Sequence, residues 1–191
     1  MDGEKSEVEK QCLQFDFGTF EGFNFRTQSA IYPNHTADEV VNWDHDVNGE
    51  AEFWPAGDRA EVQILFCRRA VSGSELIALD HLLEEMGGDT EENFIRIHHA
   101  VNTRGCELCS LSRDELDDEP AHIFIGTNFL DVRKEAAFEL FELYYPEAYE
   151  AWESSRCDGL IFDEDRFLDS PSFSTEEVKL GNKVVLIVTT N

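Results

Sequence analysis

Apolar positions along this chain change period several times, and each change marks an element. Phe15, Phe17, Phe20, Phe23 and Phe25 crowd the glycine-punctuated stretch FDFGTFEGFNF. Aromatic residues fit a pleated, half-buried surface, so this stretch predicts one or two β-strands with a turn near Gly18 or Gly22. The segment VVNWDHDVNGEAEFW alternates on both sides of Asn48-Gly49, the pair that favours a two-residue type I′ hairpin turn. In that register Val47 faces Glu50, His45 faces Glu52 and Trp43 faces Trp54. The facing tryptophans would support the hairpin by ~0.2–1 kcal/mol. Glu61–Cys67 (EVQILFC) reads as a third strand.

Helical spacing first takes over at Ser74–Met86, where Leu76, Leu79, Leu82, Leu83 and Met86 share one side and Gly87-Gly88 supply the stop. Phe94–Val101 returns to alternation, with Ile95, Ile97, His99 and Val101 on one face of an expected strand. Residues 103–120 form a polar insertion, and the capping-box spacing of Ser112 and Glu115 predicts a short helix there. His122–Ile125 is an expected strand and Val132–Tyr145 an expected helix. Pro146 ends that helix and can open the next, Pro146–Ser154. Asp158–Phe162 reads as a short strand. Val184–Thr189 is apolar enough to lie centrally in a sheet. The order is not a clean βαβα alternation, so the expected class is α+β: an antiparallel-rich sheet with two or three helices packed on it. No repeat or low-complexity linker divides the chain. Residues 1–11 are expected to form a flexible N-terminus and 12–191 a single acidic α+β domain.

Charge changes this picture most. Across 191 residues, 15 Lys and Arg oppose 41 Asp and Glu, a formal net charge of −26. With 41% hydrophobic residues and 15 Phe, the chain has the means to fill a core and carries its acids on the surface, where they repel one another. Such a surface repels nucleic acid and anionic membrane and attracts basic protein surfaces. No apolar run approaches the roughly 20 residues that span a bilayer, and MDGEKSEVEK lacks the apolar region of a secretory signal. The expected location is the cytoplasm, of its own cell or of a host cell. The five cysteines are Cys12, Cys67, Cys106, Cys109 and Cys157, an odd number in a reducing setting, so free thiols are expected.

Glu135, Glu139 and Glu142 stand at i, i+4 and i+7 and fall within about 60° of one another on a helix. Phe138, Leu140, Phe141, Tyr144 and Tyr145 take the other side. Continued in the same helical frame, Glu150 and Glu153 return near the acidic stripe. No base occurs between Glu135 and Ser155, where an ordinary solvated helix carries Lys or Arg at i+4. A second acidic group comprises Asp114, Glu115, Asp117, Asp118 and Glu119, with Arg113 beside it. Residues 27–58 and residues 70–95 each hold seven acids and no base.

Metal and thiol chemistry find incomplete motifs. Asp44-His45-Asp46-Val47-Asn48-Gly49 matches the first half of a calcium loop, but position 12, where a bidentate carboxylate belongs, is Pro55. Cys106-x-x-Cys109 lies downstream of His98 and His99. On a strand these histidines would point to opposite faces and not reach one ion. Asp163-Glu164-Asp165 with Asp169 could bind a hard cation or do acid–base work. None of these completes a ligand set, and no catalytic motif is complete, so no metal, cofactor or catalytic residue is assigned.

The expected function is non-enzymatic. The acidic surface would mimic nucleic acid and block a basic nucleic-acid-binding protein or ribonucleoprotein complex, without binding nucleic acid or membrane directly. Acidic DNA-mimic inhibitors of phages and plasmids, and immunity proteins that neutralise nucleases, work by this logic; the analogy is one of charge alone. The alternatives are a metal-dependent or hydrolytic enzyme using the carboxylate and His/Cys groups, and a salt-adapted protein of other function.

Overall fold

A computed structural model of the chain describes residues 11–24, 51–66, 69–118, 121–155 and 161–191. Backbone contacts gather into two compact units, Met1–Asp117 and Asp118–Asn191.

The first unit opens on an antiparallel sheet in the order β1 (Gln11–Phe15), β2 (Gly18–Asn24), β3 (Ala51–Pro55). The first turn is Asp16-Phe17, since Phe15 pairs with Gly18. Gly22 is a mid-strand residue between Gln11 and Phe53. The turn residue Phe17 points inward, stacks on Phe15 at 4.9 Å and meets Phe20 edge-on at 5.7 Å. The Asn48-Gly49 turn and the Trp43–Trp54 pairing lie outside the described residues, as do residues 1–10. Phe53 exchanges two backbone hydrogen bonds with Val71, both 2.8 Å.

Helices follow among the described residues: α1 (Ala60–Leu65), α2 (Gly73–Glu85), α3 (Glu91–His98) and α4 (Arg113–Asp118). Two of them overturn expected strands. Glu61–Cys67 is helical over its described part because the buried residues are Val62, Leu65 and Phe66. That is helical i, i+3, i+4 spacing, whereas a strand would alternate 62, 64, 66. Phe94–Val101 is likewise not a strand. The Thr90 hydroxyl caps α3 by accepting from the Asn93 N–H at 3.2 Å, and Glu92 pairs with Arg96 one turn on. The buried set Phe94, Ile95, Ile97 and His98 has helical spacing. A π-helical turn, His99–Thr103, follows. Inside it Asn102 Nδ2 donates to the Leu65 carbonyl at 2.9 Å and lies 2.9 Å from His98 Nδ1.

α2 forms as its pattern predicts. Ser72 and Glu75 close a capping box at its start, and the end falls at Gly87 and Gly88, whose φ angles of 89° and 122° suit glycine alone. The capping box of Ser112 and Glu115 also forms, at the head of α4.

The second unit holds β4 (His122–Gly126), α5 (Phe129–Tyr144), α6 (Pro146–Ser154), α7 (Glu164–Leu168), β5 (Phe173–Leu180) and β6 (Lys183–Thr190). Its antiparallel sheet has the order β4-β6-β5, so the apolar closing strand is central. Val184, Leu186 and Val188 join the core beneath α5, which buries Val132, Ala136, Ala137 and Leu140. Val185 and Ile187, on the opposite face of the strand, are buried as well. Gly126 lets β4 and α5 approach: a Cβ there would lie 2.5 Å from Val132 Cγ2. The expected strand at Asp158–Phe162 lies partly outside the described residues, and its described end, Ile161-Phe162, has no regular structure. Both sheets are antiparallel and the class is α+β, with seven α-helices among the described residues rather than two or three. No described helix is long and apolar enough to cross a membrane.

Candidate partner-binding surface

α5 begins at Asn128, whose side-chain oxygen accepts from the Asp131 N–H at 2.9 Å while its amide donates back to the Asp131 carboxylate. From this cap the helix presents three sides. One carries Val132, Ala136, Ala137 and Leu140 onto the sheet. A second carries the half-buried Phe138 and Phe141. The third is acidic: Glu135, Glu139 and Glu142 are all exposed, and so is Asp131, one turn before them. Asp131 thus extends the predicted row, and its i−4 position was the available signal.

The frame shared with Glu150 and Glu153 does not hold. Tyr145, at φ −135° and ψ 54°, breaks the helix before Pro146. Phe138 and Trp152 lie 5.5 Å apart between ring centres, although fourteen residues of unbroken helix would separate them by about 21 Å. α6 therefore folds back along α5. Tyr149 and Trp152 pack on Phe141, and Phe162 stacks on Phe141 at 4.6 Å and 7°. This aromatic cluster fixes α6, whose Glu147, Glu150 and Glu153 are all exposed. Tyr144 is not simply on the apolar side: it is 41% exposed and shares a 2.8 Å hydrogen bond with His122 Nε2.

Among the described residues, none of Glu135, Glu139, Glu142, Glu150 and Glu153 has an ion pair. Elsewhere arginines neutralise acids. Arg59 holds Glu61 and Asp89, Arg69 holds Glu75, and Arg96 holds Glu92. In the second unit Arg133 is wholly engaged away from the row. Only 17% exposed, it reaches Asp169 at 2.8 Å, Asp165 at 3.1 Å and Glu177 at 3.4 Å. Burial works against the Arg133 charge, but Asp169 and Asp165 outweigh it and raise its pKa. The carboxylate group read at 163–169 is therefore not an open site. Asp163 caps α7 by accepting from the Arg166 N–H at 3.0 Å, and Asp165 and Asp169 are held by Arg133. Sequence reasoning missed Arg133, whose partners lie more than thirty residues away.

The second acidic group is more tied down. Asp114, Glu115, Asp117 and Asp118 are exposed on α4, and Glu119 lies outside the described residues. The Ser112 N–H and hydroxyl hold Glu115 below the ordinary carboxylate range. Arg113 pairs with Asp117 at 3.4 Å.

The thiol and histidine candidates do not converge. Cys106 and Cys109 are both free. Burial, then Glu75 and Glu107, push the Cys109 thiol up, which disfavours a nucleophilic thiolate. His98 is buried on a helix beside Asn102. Among the described residues, no three His, Cys, Asp or Glu are placed to hold a metal ion. Residues 44–50 of the half-matched calcium loop lie outside them, and the rest, Ala51–Pro55, is β3.

No family model, no curated protein and no solved structure matches the chain.

Proposed function

We propose that this chain is a non-enzymatic inhibitor whose α5–α6 surface imitates nucleic acid and blocks the basic groove of a nucleic-acid-binding protein. One observation carries the reading: the exposed glutamates of α5 and α6 have no ion pair among the described residues, while Arg59, Arg69, Arg96 and Arg133 are paired with other acids. Carboxylates one helical turn apart lie about 5–6 Å from one another, of the same order as the ~3.4 Å axial rise per charge along a nucleic-acid strand. A partner that releases counterions on binding nucleic acid offers its Lys and Arg equally to a preformed row of carboxylates.

Competition is the test. Immobilised chain is offered a lysate of its source cell at low salt, and retained proteins are identified by mass spectrometry. The expected outcome is a basic nucleic-acid-binding protein that excess duplex DNA displaces. Tight direct binding of the chain itself to DNA contradicts the proposal.

A further inference from the structure

The first unit carries a groove of about 410 Å³. It runs along α2 from Ser74 to Glu85, about 16 Å of helix, and is walled on the other side by the loop through Cys109 and Leu111. Its lining is mixed: Ile77, Ala78, Leu82 and Leu111 are apolar, and Ser74, Glu85 and Cys109 are polar. Its rim is acidic. The exposed Glu85 lines it, the exposed Glu84 is the next residue on α2, and the exposed Glu107 precedes Cys109 on the facing loop. Nearby bases are engaged: Arg69 by Glu75, and Arg113 by Asp117 and the Glu85 carbonyl. His81 also lines the groove.

We propose that this groove seats a basic amphipathic helix of the protein partner, its apolar stripe on Ile77, Ala78 and Leu82 and its Lys or Arg side chains against Glu85 and Glu107. The argument is charge complementarity joined to shape. A trough the length of three helical turns with Ile77, Ala78 and Leu82 along it suits the i, i+3, i+4, i+7 anchors of a helix, and Glu85 in its lining, with Glu84 and Glu107 near lining positions in the chain, selects one with cationic flanks. The inference rests on the reading of the chain as a binder of basic proteins, and it adds a contact in the first unit that the α5–α6 surface does not supply.

Cys109 is exposed and gives a native reporter. The probes are a Leu/Lys amphipathic peptide of about 18 residues, a Leu/Glu peptide of the same apolar pattern, and oligolysine of equal charge. Iodoacetamide alkylation is followed at the Cys109 peptide by mass spectrometry, and affinity by titration of the full chain. The Leu/Lys peptide alone should bind tightly and slow Cys109 alkylation by about tenfold. Ala78→Trp, which fills the trough, and Glu85→Lys, which reverses one rim charge, should each weaken it by about tenfold. Reversing Glu135, Glu139 and Glu142 to Lys should leave this protection intact. An unprotected Cys109, or equal affinity for oligolysine and the Leu/Lys peptide, overturns the groove proposal. Protection that persists while the triple reversal has no effect on the captured partner removes the α5–α6 reading and leaves the groove standing.

Discussion

Glu75 shows how single acids are made to serve this fold. Burial alone would raise its pKa, but the Arg69 side chain and the Ser72 N–H outweigh it and lower it. The same carboxylate closes the capping box of α2. Glu75→Ala is expected to lose about 1 kcal/mol of stability at neutral pH, read by chemical denaturation. A carboxylate with a depressed folded pKa contributes fully above its unfolded value of about 4.3 and loses that contribution as pH falls through the folded value. Glu75→Gln keeps an acceptor for the cap, so it should flatten the acid limb of the stability profile while leaving α2 intact. Asp80 has the opposite sign. Burial, then Glu84, raise its pKa, so its ionisation opposes folding and that cost is relieved as pH falls through its folded value. Asp80→Asn should therefore raise the melting temperature at pH 7 and leave it unchanged at low pH.

At the scale of elements, close approach and charge clamps decide what packs. Alanine at Gly126 would place a Cβ 2.5 Å from the buried, β-branched Val132. Since a stiff side chain cannot step aside, Gly126→Ala should cost about 1–3 kcal/mol, measured by denaturation. Arg133 ties α5 to α7 and β5 through Asp165, Asp169 and Glu177. Arg133→Met should cost about 1–3 kcal/mol, less than breaking a fully buried pair because the acids are exposed. That loss should shrink at low pH, where the carboxylates are protonated. Elements with one dominant signal were legible from the chain: α2 from its leucine spacing and paired glycines, α6 from Pro146, and β6 from its unbroken apolar run. α1 and α3 were not. Ile64 between Val62 and Phe66, and Ile95, Ile97 and Val101, imitate alternation, and only tertiary burial of Leu65 and His98 settles the period. The cap at Thr90 was the overlooked local sign. Of the candidate surface, the exposed glutamates of α5 were legible from spacing. The fold-back of α6 was not, because ring contacts such as Phe138–Trp152 set it.

Across the whole molecule a formal charge of −26 must be carried against self-repulsion. Salt screens exposed charges over a Debye length of about 10 Å at 0.1 M and about 3 Å at 1 M. The melting temperature should therefore rise as NaCl goes from about 0.05 M to about 0.5 M, while affinity for a basic partner falls over the same range. The two trends have one cause, the acids left without counter-charge, and the function proposed above assigns the partner contact to the α5–α6 row. The most direct test is titration of the captured partner with the wild-type chain and with the Glu135→Lys, Glu139→Lys, Glu142→Lys variant at low and high salt. Exposed charge changes alter stability by only about 0.5 kcal/mol, so both proteins should melt alike in high salt. Like charges brought together at an electrostatic interface cost several kcal/mol of binding. The variant is thus expected to bind at least about tenfold more weakly at low salt, with the difference narrowing as salt rises. Equal affinity of the two folded proteins at low salt would contradict the assignment of this surface.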